Sequence, residues 1–150
     1  MNKIYSPLVL FASAMLLFSC SKSDVTVAED TQIENYITSK KLTVTEKTTS
    51  GLRYIRVTPS TGVAVASGQT ISVKYAGKLL DDSQFDTGTF SFKLGAGSVI
   101  KGFDEGIAKM KVGEQATLIF PSSIGYGASG SGPIPANAPL LFNIEVVSAK

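Results

Sequence analysis

Residues 90–126 read FSFKLGAGSVIKGFDEGIAKMKVGEQATLIFPSSIGY, and this stretch decides the fold. Phe90 and Phe92 alternate with polar residues, which is the period of a half-buried strand. Glycines interrupt the strand, and Ser98 then stands where the N-cap of a helix is expected. Apolar residues follow at spacings of three and four and predict one buried helix face over about three turns. They are Val99, Ile100, Phe103, Ile107 and Met110. Because so short a helix cannot bury its face alone, we expect it to pack on a sheet.

The flanking sequence predicts that sheet. Alternating apolar residues between turn-forming residues predict strands at 52–57, 69–77, 85–94, 116–120 and 140–147. In the first strand, Arg53 and Arg56 are expected to face solvent. Residues 41–49 are either an edge strand or a linker. The chain therefore reads as an α+β fold, in which a twisted antiparallel sheet of five or six strands wraps around one short α-helix.

The composition excludes several kinds of protein. Charged residues make up 17% of the chain and the formal net charge is +2, so no nucleic-acid partner is expected. The chain has no histidine and one cysteine, which excludes His-centred triads and argues against the common zinc sites. We therefore expect no metal and no other cofactor. Any enzyme activity has to work without a strong general base.

Residues 1–19 have the form of a signal peptide. Lys3 precedes an apolar run at 7–18, which is too short to span a bilayer comfortably. The run ends in Leu-Phe-Ser before Cys20, which resembles a bacterial lipoprotein cleavage box with Cys20 as the lipidated residue. We therefore expect a lipid-anchored protein of the bacterial cell envelope, at the outer membrane and outside the cytoplasm. The alternative is an ordinary signal peptide with an incidental cysteine.

Residues 20–49 are expected to hold the lipid anchor, a polar tether at 21–24 and an amphipathic helix. Thr26 and Glu29 have the spacing of a capping box, and apolar residues at helical spacing follow them. The predicted helix runs from Ala28 to Ser39. It could dock a partner or a second copy, pack on its own domain, or act as a semi-rigid spacer.

Several blocks of the chain resemble the FKBP-type peptidyl-prolyl cis-trans isomerases. VIKGFDEGIAKMKVGE occupies 99–114, and it is followed by Pro121 and by GYGASG at 125–130. The resemblance runs from about Gly51 to Ala149, so residues 50–150 are expected to form the FKBP-like domain. It implies a monomeric enzyme without a cofactor that acts on proline-containing polypeptides. With the predicted anchor, its role would be to assist the folding of proteins outside the cytoplasm.

The resemblance also implies a pocket and its residues. The predicted catalytic residues are Tyr75, Phe85, Asp86, Phe103 and Tyr126. The predicted substrate-binding residues are Phe90, Val99, Ile100, Ile134 and Phe142. In this assignment the backbone N–H of Ile100 receives a substrate carbonyl, and the hydroxyl of Tyr126 donates at the mouth. Phe103 forms the floor, where many members of the family have tryptophan.

Two features leave alternatives open. Without the resemblance, the aromatic residues are more typical of an ordinary core than of a pocket, and Asp86 is equally typical of a turn cap. The segment between Asp86 and Phe90 is also several residues shorter than in the best-known members of the family. It lacks the arginine that often pairs with this aspartate. The chain could therefore be a module that binds proline-containing segments with little turnover, or an assembly lipoprotein that docks a partner through helix 28–39.

Overall fold

The computed structural model describes residues 22–150, with side chains from Ala28 onward. The two α-helices are α1 (Lys22–Ser39) and α2 (Lys101–Ile107). The strands are β1 (Glu46–Lys47), β2 (Arg53–Thr58), β3 (Thr70–Lys78), β4 (Gln84–Lys93), β5 (Gln115–Phe120) and β6 (Leu140–Ala149). Single 3-10 turns lie at Ser122–Ile124 and Gly127–Ser129. The predicted signal peptide 1–19 and Cys20 lie outside the described residues. Within 22–150, no helix is long and apolar enough to cross a membrane.

The strands of this part of the chain form one six-stranded antiparallel sheet in the order β1-β2-β5-β6-β3-β4. This confirms the predicted α+β fold. Residues 41–49 contribute only the two-residue edge strand β1. At the other edge, β4 pairs with β3 continuously from Asp86 to Lys93, with Gly88 opposite Tyr75. The short segment between Asp86 and Phe90 is therefore regular strand.

The main core lies between α2 and one face of the sheet. Its β6 residues are Leu140, Phe142, Ile144 and Val146, the alternate positions of that strand. Two glycines let α2 lie close to β5: a Cβ at Gly106 would come 2.2 Å from Leu118 Cδ1, and one at Gly102 would come 2.6 Å from Phe120 Cδ2. The close approach brings the aromatic side chain of α2, Phe103, against the sheet.

The helix α2 is shorter than the apolar spacing predicts. Ile100 is its N-cap residue, with an extended backbone (φ −62°, ψ 147°) and no side-chain cap. The prediction of Ser98 as the cap is therefore wrong. The reason is a local turn that precedes the helix: Gly95 and Gly97 both have positive φ, and the N–H of Gly95 donates to the Asp104 carboxylate at 2.9 Å. Val99 and Ile100 consequently stand before α2 and Met110 follows it.

The opposite face of the sheet is covered by α1. Ile33 and Ile37 are buried against apolar residues of β2, β5 and β6, which are Ile55, Ile119 and Leu141. This is the arrangement of a helix packed on its own domain. The helix begins at Lys22, so the predicted start at Ala28 is wrong, and residues 22–24 of the predicted tether are helical. Thr26 therefore lies inside the helix and not at its N-cap, and the Glu29 carboxylate bonds Ser122.

Arg53 lies fully buried under α1, so the prediction that it faces solvent is wrong, whereas Arg56 is exposed. The Arg53 guanidinium donates from Nη2 to Asp30 at 2.6 Å and to Glu34 at 2.7 Å. Its Nη1 donates to the carbonyl of Gly51 at 2.6 Å. Arg53 lies on the face of the sheet that α1 covers. The error arose because alternation carries no information on whether another element covers that face.

Candidate active site

A cavity of about 390 Å³ opens at the end of the core, between the β3–β4 hairpin, the residues before α2 and the loop after β5. It gathers nine of the ten residues predicted for the site. They are Tyr75, Phe85, Asp86, Phe90, Val99, Ile100, Phe103, Tyr126 and Phe142. Ile134 is not among the lining residues: it is 6% exposed and packs in the main core. Among these described residues Asp86 alone is charged, and most of the lining side chains are aromatic or aliphatic.

Phe103 forms the floor of the cavity. It is 3% exposed, and its ring lies edge-on to Phe142 at a centroid distance of 5.2 Å and to Tyr75 at 6.1 Å. Phe90 stacks on it at 5.8 Å. Rings in these edge-to-face and offset arrangements stabilise one another beyond the area they bury. The floor is therefore a continuous aromatic surface.

Gly77 of β3 permits the wall of the cavity to close. A Cβ at this position would come 2.6 Å from Phe85 and 2.8 Å from Phe142, so only glycine leaves room for both rings. Phe85 and Phe142 then meet edge-on at 5.6 Å. Our sequence analysis did not single out Gly77. The available signal was a glycine at the end of an alternating strand, which often marks a close approach.

Tyr75 and Asp86 form one wall as a hydrogen-bonded pair. The Tyr75 hydroxyl donates to Asp86 Oδ2 at 2.6 Å, and the N–H of Thr87 donates to Asp86 Oδ1 at 2.9 Å. Asp86 thus makes the local turn-type contact and a contact within the cavity. Its hydrogen bond, together with burial, raises the pKa of Tyr75 to about 12. Tyr75 is therefore a neutral donor that is already engaged at physiological pH.

Two further hydrogen-bond donors border the cavity. Ile100 directly precedes α2, so its backbone N–H lies outside the helical hydrogen-bond ladder. It has no partner within residues 28–150. Tyr126 lies in the loop after β5, between the two 3-10 turns, and is 37% exposed. Its hydroxyl likewise makes no hydrogen bond within the described side chains. Both residues line the cavity.

Sequence reasoning missed two other lining residues, Gly97 and Ser98. Gly97 has a φ of 69°, which places the turn before α2 against the cavity. The sequence signal for this turn was the Gly-x-Gly pattern, which was interpreted only as the end of the preceding strand. Among the described residues, no group of three or more acidic, cysteine or histidine side chains is placed to hold a metal ion. What the arrangement offers chemically is a cavity with aromatic walls and a few hydrogen-bond donors.

Comparison with known proteins identifies the family. The family model for FKBP-type peptidyl-prolyl cis-trans isomerases matches residues 62–147. FK506-binding protein 1 of Dictyostelium discoideum is 48% identical over 89 residues, which cover 55% of this chain and 83% of that protein. FK506-binding protein 4 of the same organism is 43% identical over 103 residues, covering 66% of this chain. This chain spans only 28% of that longer protein.

A solved structure extends the likeness beyond the family model. The peptidyl-prolyl cis-trans isomerase of Pseudomonas syringae pv. tomato matches with a TM-score of 0.73 and 28% identity, covering 87% of this chain and 96% of that one. The family-model match includes the two blocks at 99–114 and 125–130 that carry the resemblance in the sequence. The chain therefore belongs to the FKBP-type peptidyl-prolyl cis-trans isomerases, a family of enzymes.

Proposed function

We propose that the cavity binds X–Pro segments of unfolded or extended polypeptides outside the cytoplasm and accelerates their cis–trans isomerisation. The observation that carries this is the group of aromatic rings around Phe103, which is bordered by the hydrogen-bonded pair Tyr75–Asp86 and by two donors that have no partner among the described residues. An enclosure of this kind is suited to a proline ring and the apolar atoms beside it. It is poorly suited to chemistry that needs a nucleophile or a strong base.

Rotation about an X–Pro bond needs little chemistry. Its barrier is about 18–20 kcal/mol, because the amide loses its resonance at the top. The planar amide is the more charge-separated form, so an apolar cavity with little water favours the twisted amide. Each lowering of the barrier by about 1.4 kcal/mol gives a tenfold gain in rate. A cavity that lowers the barrier by a few such steps is therefore an effective catalyst.

The donors of the cavity have distinct roles in this mechanism. The N–H of Ile100 receives a carbonyl of the substrate and fixes the segment across the mouth. The hydroxyl of Tyr126 donates to a second carbonyl and steadies the twisted geometry. Tyr75 serves as wall, because Asp86 already accepts its hydrogen bond. No step transfers a proton, so no general base is required.

Refolding of a protein limited by proline isomerisation tests this assignment. Uncatalysed isomerisation takes tens of seconds or longer, so a catalyst visibly shortens the slow phase. We expect the wild-type chain to accelerate it and Tyr126→Phe to lose about tenfold of the acceleration, as expected for one lost donor. Tyr36→Phe is the matched control, since its hydroxyl lies behind the sheet on Asp82. Equal rates for both variants would remove Tyr126 from the mechanism.

The cellular location forms part of the same proposal. Cys20 ends the apolar run, and α1 begins at Lys22, so the folded domain follows the proposed lipid attachment almost directly. Two or three acyl chains on Cys20 would hold the protein firmly, whereas one chain binds only marginally. The substrates would then be polypeptides that fold near the membrane of a bacterial cell envelope.

Labelling with radioactive palmitate in a bacterial host tests the anchor. We expect the wild-type chain to carry label and to sediment with membranes, and Cys20→Ala to carry none. The Ser19→Gly variant is the control, because a small residue before the cysteine is retained. An unlabelled wild-type chain would contradict the lipid anchor and leave the isomerase assignment untouched.

A further inference from the structure

We propose that Glu29 of α1 is a positioning residue for the cavity, acting from the far face of the sheet through Ser122. The inference rests on the function proposed above, since it concerns the loop that carries Tyr126. Glu29 is 3% exposed. Its Oε2 accepts from the backbone N–H of Ser122 at 2.5 Å, and its Oε1 accepts from the Ser122 hydroxyl at 2.7 Å. A buried carboxylate with two such donors holds the partner residue in one place.

Ser122 is the point where β5 passes into the Tyr126 loop. The strand ends at Phe120, and Ser122 opens a single 3-10 turn that the N–H of Gly125 closes on the Ser122 carbonyl at 2.8 Å. Tyr126 follows this turn directly and lines the cavity. Only one tight turn separates the atom that Glu29 fixes from the residue that borders the substrate. A shift at Ser122 therefore displaces Tyr126.

The contact is separable from the docking of α1. The helix is held independently by Ile33 and Ile37 in the apolar cluster, and by Asp30 and Glu34 on the buried Arg53. None of these side chains bonds Ser122. Removing the carboxylate of Glu29 consequently frees the start of the loop while the rest of the helix stays in place. Burying a carboxylate costs free energy unless it is hydrogen-bonded, and the two hydrogen bonds from Ser122 offset that cost for Glu29.

Glu29→Gln in the full chain tests the inference, with Glu34→Gln as the matched control on the same helix. The amide keeps the shape of the side chain but loses one acceptor oxygen. We expect kcat/KM for an X–Pro peptide to fall about tenfold in Glu29→Gln, because one charged hydrogen bond is lost, and to change less than about twofold in Glu34→Gln. The NMR signals of the Tyr126 amide and ring should shift in the first variant only.

A second variant and a cycle separate positioning from a general structural effect. Ser122→Ala removes the hydroxyl donor and keeps the backbone N–H, so it should give a smaller loss of the same kind. Combining Glu29→Gln with Tyr126→Phe should add no further loss, because both act through one hydroxyl. A purely structural role would lower stability and leave the kcat/KM of the folded molecules unchanged.

The outcomes are distinguishable. Wild-type kcat/KM and unshifted Tyr126 signals in folded Glu29→Gln would overturn the inference, as would equal effects in Glu34→Gln. If Glu29→Gln does not fold, the kcat/KM and the Tyr126 NMR signals of Ser122→Ala test the inference in its place. A wild-type chain that accelerates nothing would instead contradict the proposed function, and the Tyr126 signals would still test the positioning.

Discussion

The Asp86 carboxylate accepts hydrogen bonds on both of its oxygens, one from its own turn and one from the Tyr75 hydroxyl. This explains how the wall stays ordered although the segment before Phe90 is short and has no arginine partner. Strand β4 runs through that segment in register with β3 and places Tyr75 opposite Gly88.

The hydrogen bond between Tyr75 and Asp86 can be tested by titrating Tyr75. The pKa of Tyr75 is raised to about 12, first by the hydrogen bond to Asp86 and then by burial. A raised tyrosine pKa stabilises the fold fully below the ordinary value of 10, and this contribution is lost as the pH rises through about 12. In Asp86→Asn we expect the Tyr75 pKa, followed by NMR of its ring, to fall towards 10 without reaching it.

Asp81→Asn is the control, since that carboxylate bonds Ser83 in the hairpin turn. A Tyr75 pKa that stays near 12 in Asp86→Asn would show that burial alone sets it. Over the physiological range Tyr75 does not titrate, so the wall should be the same from about pH 6 to pH 9.

At the scale of elements, α2 approaches β5 more closely than ordinary side chains permit. Alanine is favoured over glycine inside a helix by about 1 kcal/mol. At Gly106, however, an added Cβ would lie 2.2 Å from Leu118 Cδ1. We expect Gly106→Ala to lower the free energy of unfolding by about 1–3 kcal/mol, as overpacking does, when measured with denaturant.

Leu118→Ala provides the matching test. The leucine is fully buried, so its own truncation destabilises, but it also makes room for a Cβ at position 106. The double variant should therefore be more stable than the sum of the two single effects implies. Additive losses, or a stabilised Gly106→Ala, would show that α2 tolerates a wider spacing.

The docking of α1 depends on Arg53. The hydrogen bond from Arg53 lowers the pKa of Glu34. For Asp30, burial acts to raise the pKa, but the hydrogen bonds from Arg53 and Lys47 outweigh it and the pKa is lowered. Both acids therefore stabilise the fold above their ordinary values of 4.5 and 3.8, and this is lost as the pH falls through the lowered values.

Arg53→Met keeps the length of the side chain and removes the guanidinium. Because its acidic partners are about half exposed, we expect a loss of about 1–3 kcal/mol at neutral pH rather than more. The difference from the wild type should narrow between about pH 5 and pH 2, as the two acids become protonated. Parallel stability curves for the two proteins would contradict this account of how the helix is held.

At the scale of the whole molecule, the parts that sequence could predict are those with a regular period or a matching block. The alternation predicted the strands, and the several blocks that resemble the family supplied nine of the residues that line the cavity. Ile134 was assigned to the cavity from the resemblance alone, because it lies in a loop rich in glycine and proline where no period shows which way a side chain points. Its burial in the core comes from tertiary packing.

The second face of the sheet could not be predicted. Arg53 reads as a surface residue in its strand, and Glu29 reads as part of a capping box. Each is buried because α1 returns to the sheet, and a contact between Glu29 and Ser122, 93 positions apart, leaves no local signal. The contacts of α1 could therefore be identified only from the folded structure.

Exchange spectroscopy on an X–Pro peptide tests the central claim most directly. The cis and trans forms of such a peptide interconvert in tens of seconds or longer without a catalyst, and NMR follows both at equilibrium. With the full chain we expect exchange to accelerate in proportion to protein concentration and to fall in Phe103→Ala, with Val63→Ala, an exposed residue that does not line the cavity, as control. Peptide signals that shift on binding while exchange stays at the rate in buffer would contradict the claim and indicate a binding module instead.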